Sequence, residues 1–237
     1  MKIISYNVNG IRAALKKGFA EWLETENPDI IGLQEVKSME NQIDISIFED
    51  LGYHVYWYPA VKKGYSGVAI LSKQKANNIT AGIGFPAYDD EGRTIRADYD
   101  DFSFLCAYFP SGTTGGIRQD FKYAFLDDIF GYTQDLIKER PKLILSGANK
   151  NTSGFLPEER AWMDKFTSSG FDDSFRLLNK EAHQYSWWSY RANARANNKG
   201  WRIDYHMTTP SISSQVKNVG ILNKVMHSDH CPIVVEF

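Results

Sequence analysis

The sequence predicts an α/β protein in which two sheets pack face to face and helices cover their outer faces. Three features point there. Short apolar runs rich in β-branched and aromatic residues recur with turn residues between them, helical patterns occur about half as often, and one pair of runs is joined so tightly that its strands must be antiparallel. Packing two sheets together with helices outside buries both the near-continuous strands and the amphipathic helices. The 237 residues, 43% hydrophobic and 24% charged, suffice for a large core in one domain spanning 1–237, and no linker, repeat or low-complexity tract interrupts them.

Lys2–Tyr6 reads as the first strand, because one lysine, a short apolar run and then polar residues fit neither a signal peptide nor a membrane span. A helical pattern follows over Gly10–Glu24, then an apolar strand at Ile30–Gln34 and a second helical pattern at Gln42–Leu51. His54–Tyr58 and Val68–Leu71 are the next strands. Ile95–Tyr99 and Phe102–Phe109 flank Asp100 and Asp101, a tight hairpin connection that argues against a purely parallel sheet. Gln119–Lys138 is a long helix and Leu143–Leu145 a strand. Pro157–Ser168 starts a helix with proline in its first turn, and Glu158 and Glu159 suit the positive end of the helix dipole. Arg202–Met207 and Ile233–Phe237 complete the strands.

A formal charge of -2 excludes binding to nucleic acid by bulk electrostatics, so any DNA face must be a local patch. Candidates are Lys16 with Lys17, Lys62 with Lys63, and Arg191, Arg195, Lys199 and Arg202, where basic residues interleave with aromatics; a solvated surface explains the same residues. Cys106 and Cys231, each beside apolar residues, read as buried thiols of a reducing compartment, which predicts a cytoplasmic protein.

Costly polar residues stand at the ends of apolar strands: Asn7 and Asn9 after IISY, Glu35 after IIGLQ, Asp204 within WRIDY, and Asp229 with His230 before CPIVV. Strand ends along one rim of a sheet are where separated segments converge on a site. Glu35 and Asp229 are hard oxygen ligands suited to Mg²⁺, which takes one or two carboxylates and completes its octahedron with water and substrate phosphate. His230 can act as a base or bond a phosphate oxygen if a buried carboxylate such as Asp204 fixes its tautomer. Taken singly, each residue also has a structural explanation: Asn7 as a turn-bonding side chain, Glu35 as a strand-end ion pair, Asp204 as a buried salt-bridge partner, and Tyr108, Trp187, Trp188 and Trp201 as core or edge aromatics.

Taken in order, NVNGIRAA, LQEVK, GYSGVAILSK, YFPSG, GFLPEERAW, QYSWWSYRANARANNKGWRIDY and SDHCPIVV resemble the exonuclease III family of AP endonucleases, within the endonuclease/exonuclease/phosphatase superfamily. LQE and SDH are shared with other superfamily branches, whereas GFLPEERAW and the tryptophan-rich segment point to the DNA-repair branch. The resemblance implies a DNase I-like, four-layered α/β sandwich of two mixed sheets with outer helices. It implies Mg²⁺-dependent hydrolysis, with Mn²⁺ as a substitute, of duplex DNA on the 5′ side of abasic sites or at 3′ ends, by a monomer with no membrane attachment. Carried over by position, Glu35 is the metal ligand with Asp229 and Asn9 close by. Asn7 orients the site, Tyr108 contacts the scissile phosphate, and Asp204 with His230 organises it. Trp187, Trp201 and Ile203 match an apolar pocket for an extruded base-free sugar, which has little stacking to lose. Arg191 falls where relatives insert a side chain into the duplex, and Lys37 sits beside the ligand strand.

One departure stands out. After the strand KLIL the family has a Gly-Asp-x-Asn motif and a long loop, but here the chain reads LILSGANKNTSGF. Ala148 stands where the aspartate is expected, only Gly147 through Gly154 spans the loop, and Thr114 falls in a region where some relatives place a DNA-contacting arginine. In relatives the aspartate activates water or protonates the leaving oxygen. Losing a positioned acid or base costs roughly 10²–10⁴-fold, so turnover is expected to be strongly reduced or absent. Two other functions fit the same residues: abasic-DNA binding without turnover, and phosphodiester hydrolysis on RNA or a phospholipid. The basic-aromatic segment 185–205 suits a nucleic-acid groove better than a membrane.

Overall fold

The computed structural model describes residues 1–112, 115–148 and 156–237; the expectations at Thr114 and over 149–154 lie outside the described residues. Each apolar run read as a strand forms one: β1 (Lys2–Asn7), β2 (Ile30–Gln34), β3 (His54–Tyr58), β4 (Val68–Ser72), β6 (Thr94–Asp98), β7 (Ser103–Tyr108), β8 (Leu143–Ala148), β10 (Asp204–Thr208) and β12 (Ile233–Glu236), with β5 (Asn78–Ala81), β9 (Asp172–Asp173) and β11 (Asn218–Ile221) besides. These last three sit at sheet edges. An edge strand has one partner and one protected face, so its sequence carries little apolar pattern.

Among the described residues the strands form two six-stranded mixed sheets, ordered β11-β12-β1-β2-β4-β3 and β5-β6-β7-β8-β10-β9. The Asp100–Asp101 hairpin joins β6 and β7, which pair antiparallel from Thr94↔Ala107 to Asp98↔Ser103. The central strands IIGLQ, VAILS and SFLCAY are buried along their whole length, because they face apolar layers on both sides. Ile3, Ile30, Ile70, Phe104, Cys106, Ile144 and Val235 fill the space between the sheets.

Helices close the two outer faces. The pattern over Gly10–Glu24 is two helices, not one: α1 (Ile11–Leu15) and α2 (Phe19–Glu26) break at Gly18, whose φ of 87° lies in the left-handed region. Over Gln42–Leu51 only α3 (Ser46–Glu49) is α-helical, because Asp44 Oδ1 accepts from the Ser46 amide at 3.1 Å and ends the preceding turn. With Ile4, Tyr6, Ile31, Leu33 and Leu71 these helices build one outer core. After the single-turn α4 (Pro86–Asp89), α5 (Gly116–Glu139) and α6 (Pro157–Ser168) form the other, over Leu105, Leu143, Leu145 and Met207. Short α7 (Ser174–Leu178) and α8 (Pro210–Ser213) flank β10. The result is the four-layered sandwich.

The inter-sheet layer includes a histidine outside the candidate site. His206 Nε2 donates to the Ile233 carbonyl at 3.2 Å, and its Nδ1 accepts from Ser146 Oγ at 2.6 Å. Burial, opposed by the Ile233 bond, lowers its pKa from 6.5 to about 4. The folded state thus refuses a proton that the unfolded chain takes. The stabilisation is complete above pH 6.5 and is lost as pH falls towards 4, a loss of about 3 kcal/mol for this shift. Melting temperatures between pH 7 and 4 should fall less steeply in a His206→Gln variant.

Topology brings the candidate residues to one rim. β1 and β2 run parallel and finish at Asn7 and Gln34; β7 and β8 run parallel and finish at Tyr108 and Ala148. β10 is antiparallel to β8 and starts at Asp204 opposite Ala148, while β12, antiparallel to β1, starts just after Asp229 and His230.

Candidate active site

The exits of β1 and β2 lock together. Val8, Gly10 and Ile11 donate backbone bonds to Gln34, Glu35 and Val36, and Val36 and Lys37 donate to Gly67 and Ser66. This clasp holds Asn9, Glu35 and Lys37 at φ 46°, 52° and 50°, a region that non-glycine residues enter at a cost. The side chains form a chain of polar contacts. Asn7 Nδ2 donates to Glu35 Oε1 at 2.9 Å, Lys37 Nζ pairs with Glu35 Oε2 at 2.8 Å and also donates to Asn9 Oδ1, and Asn9 Nδ2 donates to Asp229 Oδ1 at 3.0 Å. Asn7, Glu35, Asp229, Asn9 and Lys37 therefore converge as expected.

Asp229 and His230 enter from the loop before β12. Trp187 Nε1 donates to Asp229 Oδ2 at 2.9 Å. Burial raises the Asp229 pKa, but His230, Trp187 and Asn9 together bring it below the ordinary carboxylate value. His230 Nδ1 lies 3.0 Å from both oxygens of Asp204, and Ser186 Oγ donates to Asp204 Oδ2 at 2.6 Å. Burial alone would discharge His230; Asp204, with Asp229 and Glu35 behind it, raises its pKa instead. Among the described residues His230 Nε2 is a buried nitrogen with no hydrogen-bond partner. The imidazolium form turns that nitrogen into a donor held ready for an anionic oxygen. Ser186 escaped the sequence, where a serine beside two tryptophans gives no signal of a buried carboxylate eighteen positions on.

Tyr108 ends β7 with its side chain buried, and its hydroxyl meets Glu35; burial first, then the Glu35 charge, pushes its pKa well above 10. Ala148 is fully buried in register between Tyr108 and Asp204, so the position expected to carry the missing aspartate lies inside the site. Trp187 pairs across backbone with Trp201 and with His230. Ile203 lines a cavity of about 110 Å³ between β8, β10, α5 and α6, with Phe109, Trp162 and Met163.

The basic residues divide into exposed and paired sets. Arg191 and Lys199 are exposed, as are Lys16, Lys17, Lys62 and Lys63. Arg195, however, donates to the Asn223 and Val225 carbonyls at 2.7 Å and stacks on Trp188, and Arg202 pairs with Asp173 at 2.5 Å. Both are committed to holding the loop before β10. Cys106 and Cys231 are free and buried, as expected.

Among the described residues no three His, Cys, Asp or Glu side chains gather as a metal cluster. The donor chemistry nonetheless fits Mg²⁺, since Glu35, Asp229 and the Asn9 carbonyl offer hard oxygens and this ion relies on water and phosphate for the rest. Lys37 occupies the space between Glu35 and Asn9, holding a positive charge there.

Two mixed sheets between helical layers, with carboxylates, asparagines and a histidine along one rim, define a DNase I-like fold. Residues 4–230 match the endonuclease/exonuclease/phosphatase family. The chain is 41% identical to an exodeoxyribonuclease of Bacillus subtilis (strain 168), covering 98% of each chain, and 38% identical to the DNA repair nuclease APEX1 of Danio rerio, covering 99% of this chain and 81% of that one. Of solved structures, a 3′-5′ exonuclease of Neisseria meningitidis superposes with a TM-score of 0.91 at 25% identity, over 100% of this chain and 99% of that one. An AP endonuclease of Archaeoglobus fulgidus gives 0.90 at 26%, with the same coverage. The chain belongs to the exonuclease III and AP-endonuclease branch of this family, whose activity is that of a DNA-repair phosphodiesterase. The Bacillus alignment runs over 250 positions, more than the 237 residues here, so that relative carries residues with no counterpart in this chain.

Among the described residues no helix is long and apolar enough to cross a membrane.

Proposed function

We propose that this chain, acting as one domain and as a monomer, grips duplex DNA at abasic sites or 3′ ends and directs hydrolysis of the phosphodiester on the 5′ side of the lesion, at a rate held down by Ala148. The observation that carries this is His230: buried, its Nδ1 held on both oxygens of Asp204, which favours the charged form, and presenting Nε2 without a protein partner beside Glu35 and Asp229. Such a donor is suited to a phosphate oxygen, where charge-assisted bonds are strongest. Asn7 fixes Glu35, Asn9 and Trp187 fix Asp229, and Tyr108 offers a hydroxyl next to Glu35. Half-buried Trp187 and Trp201 supply apolar surface for a base-free sugar, buried Ile203 offers it only through the cavity it lines, and exposed Arg191 stands nearby in sequence for insertion into the duplex. Glu35, Asp229 and Asn9 would hold Mg²⁺ or Mn²⁺, with Lys37 yielding its place; the ion would supply charge neutralisation on the phosphate.

A second function, lesion binding without turnover, is favoured by the same Ala148, which puts a methyl group between Tyr108 and Asp204. An incision assay on an abasic duplex run beside a gel-shift separates the two. Binding with slow product supports the first, binding with none supports the second, and neither activity excludes both. Glu35→Gln checks the metal ligand separately: Mn²⁺ affinity followed by electron paramagnetic resonance should drop at least about tenfold, the loss that even an outer-shell change produces.

A further inference from the structure

Arg93 is among the largest fully buried side chains, 1% exposed, at the entry to β6. A guanidinium is kept out of water only when its donors are satisfied. Here Nε donates to Glu91 Oε2 at 2.7 Å, Nη1 to the Tyr108 carbonyl at 2.9 Å, and Nη2 to Tyr65 Oη at 3.2 Å while lying 2.5 Å from Glu91 Oε2. The guanidinium carbon also sits 5.0 Å from the centre of the Tyr108 ring, and the Tyr108 amide donates to the Arg93 carbonyl at 2.7 Å. Glu91 is braced from its other side by Arg118, at 3.0 and 3.2 Å. Tyr108 is thus gripped at its root and across its face by Arg93, while its hydroxyl meets Glu35.

We infer that Arg93, held by Glu91, is a positioning residue that sets the Tyr108 ring so that its hydroxyl reaches a DNA phosphate beside Glu35, without touching DNA itself. This rests on the assignment of Tyr108 as a phosphate contact. At 1% exposure Arg93 has no surface to offer a phosphate, whereas Arg118, with a side chain 27% exposed, does. A stacked, forked guanidinium fixes a ring in angle as well as in distance, which a lysine ammonium does not.

The test is a double-mutant cycle on abasic-duplex affinity, measured by gel-shift with Tyr108→Phe, Arg93→Met and the pair, alongside ¹⁹F NMR of protein carrying 3-fluorotyrosine. The resonance of position 108 is identified by its loss in Tyr108→Phe. Tyr108→Phe should weaken binding about tenfold, as loss of a hydrogen bond to a charged group does. Arg93→Met should match it, the pair should lose nothing further, and the position-108 resonance should move in Arg93→Met. Losses that multiply in the pair, or an unmoved resonance, overturn the proposal. If Tyr108→Phe leaves affinity intact, the phosphate-contact assignment fails, and the resonance alone decides whether Arg93 holds the ring. If Arg93→Met does not fold, Glu91→Gln, which keeps an acceptor but removes the bracing charge, is put through the same cycle with the same criteria.

Discussion

Replacing Ala148 with aspartate is expected to raise the rate at which this chain cuts an abasic duplex by roughly 10²-fold, the lower end of what a positioned acid or base contributes. The register fixes where the new carboxylate goes. Ala148 ends β8 opposite Asp204 in the antiparallel pair and beside Tyr108 in the parallel one, and directly paired residues project to the same face. The carboxylate would stand between the phenol and the Asp204–His230 pair, in a spot sealed from solvent. Glu35, Asp204 and Asp229 already crowd this rim with negative charge, so a further carboxyl is driven to keep its proton. A protonated acid next to a phosphate is what a leaving oxygen requires. The gain stays at the lower end because the motif's asparagine and the longer loop remain missing. Single-turnover cleavage of a fluorescent abasic duplex with Mg²⁺ measures it, and Ala148→Asn provides the control of equal size without a proton to give. Equal rates for folded aspartate and asparagine variants would remove position 148 from the chemistry.

How much of this was legible in the sequence follows from the range of the interactions involved. Strands buried on both faces, such as Ile30–Gln34 and Ser103–Tyr108, announce themselves because every residue must be apolar. Glu35, Asp204, Asp229 and His230 are conspicuous for the same reason: each interrupts or ends such a run. The pattern over Gly10–Glu24 reads as one helix because period alone does not register the left-handed turn at Gly18. Pairing at long range was not legible. Arg202 reads identically whether it faces a phosphate or Asp173, which lies twenty-nine positions earlier, and the grip of Arg93 on Tyr108 spans fifteen. Lys37 stands beside the ligand strand in sequence, but only the clasp between the β1 and β2 exits shows its ammonium lodged between Glu35 and Asn9. Among the edge strands, β3 is legible, but β5 and β11 are not, because NITA and NVGI bury only part of one face.

Asp204→Asn is expected to cost about 3–5 kcal/mol of stability at acid pH, as breaking a buried ion pair from one side does, with a pH dependence that identifies the cause. His230 is fully buried, and burial by itself drives its pKa down; the Asp204 carboxylate, taking Nδ1 on both oxygens, is what raises it. In the parent chain the pair therefore adds stability that is complete below the unfolded histidine value of 6.5 and fades as pH rises through the raised folded value. In the variant burial prevails, the folded imidazole resists its proton, and stability is lost as pH falls below 6.5. The gap between the two melting temperatures should be widest near pH 5 and narrow as pH rises through the raised folded value, above which His230 is neutral in both proteins and the asparagine oxygen still accepts from Nδ1. His206, with its own acid-side loss, is common to both and cancels in the difference. A gap that does not change with pH would mean that His230 carries no charge in the folded state. The Nε2 donor would then be a neutral one, and the grip on a phosphate oxygen would fall to Tyr108, Asn7 and the metal ligands.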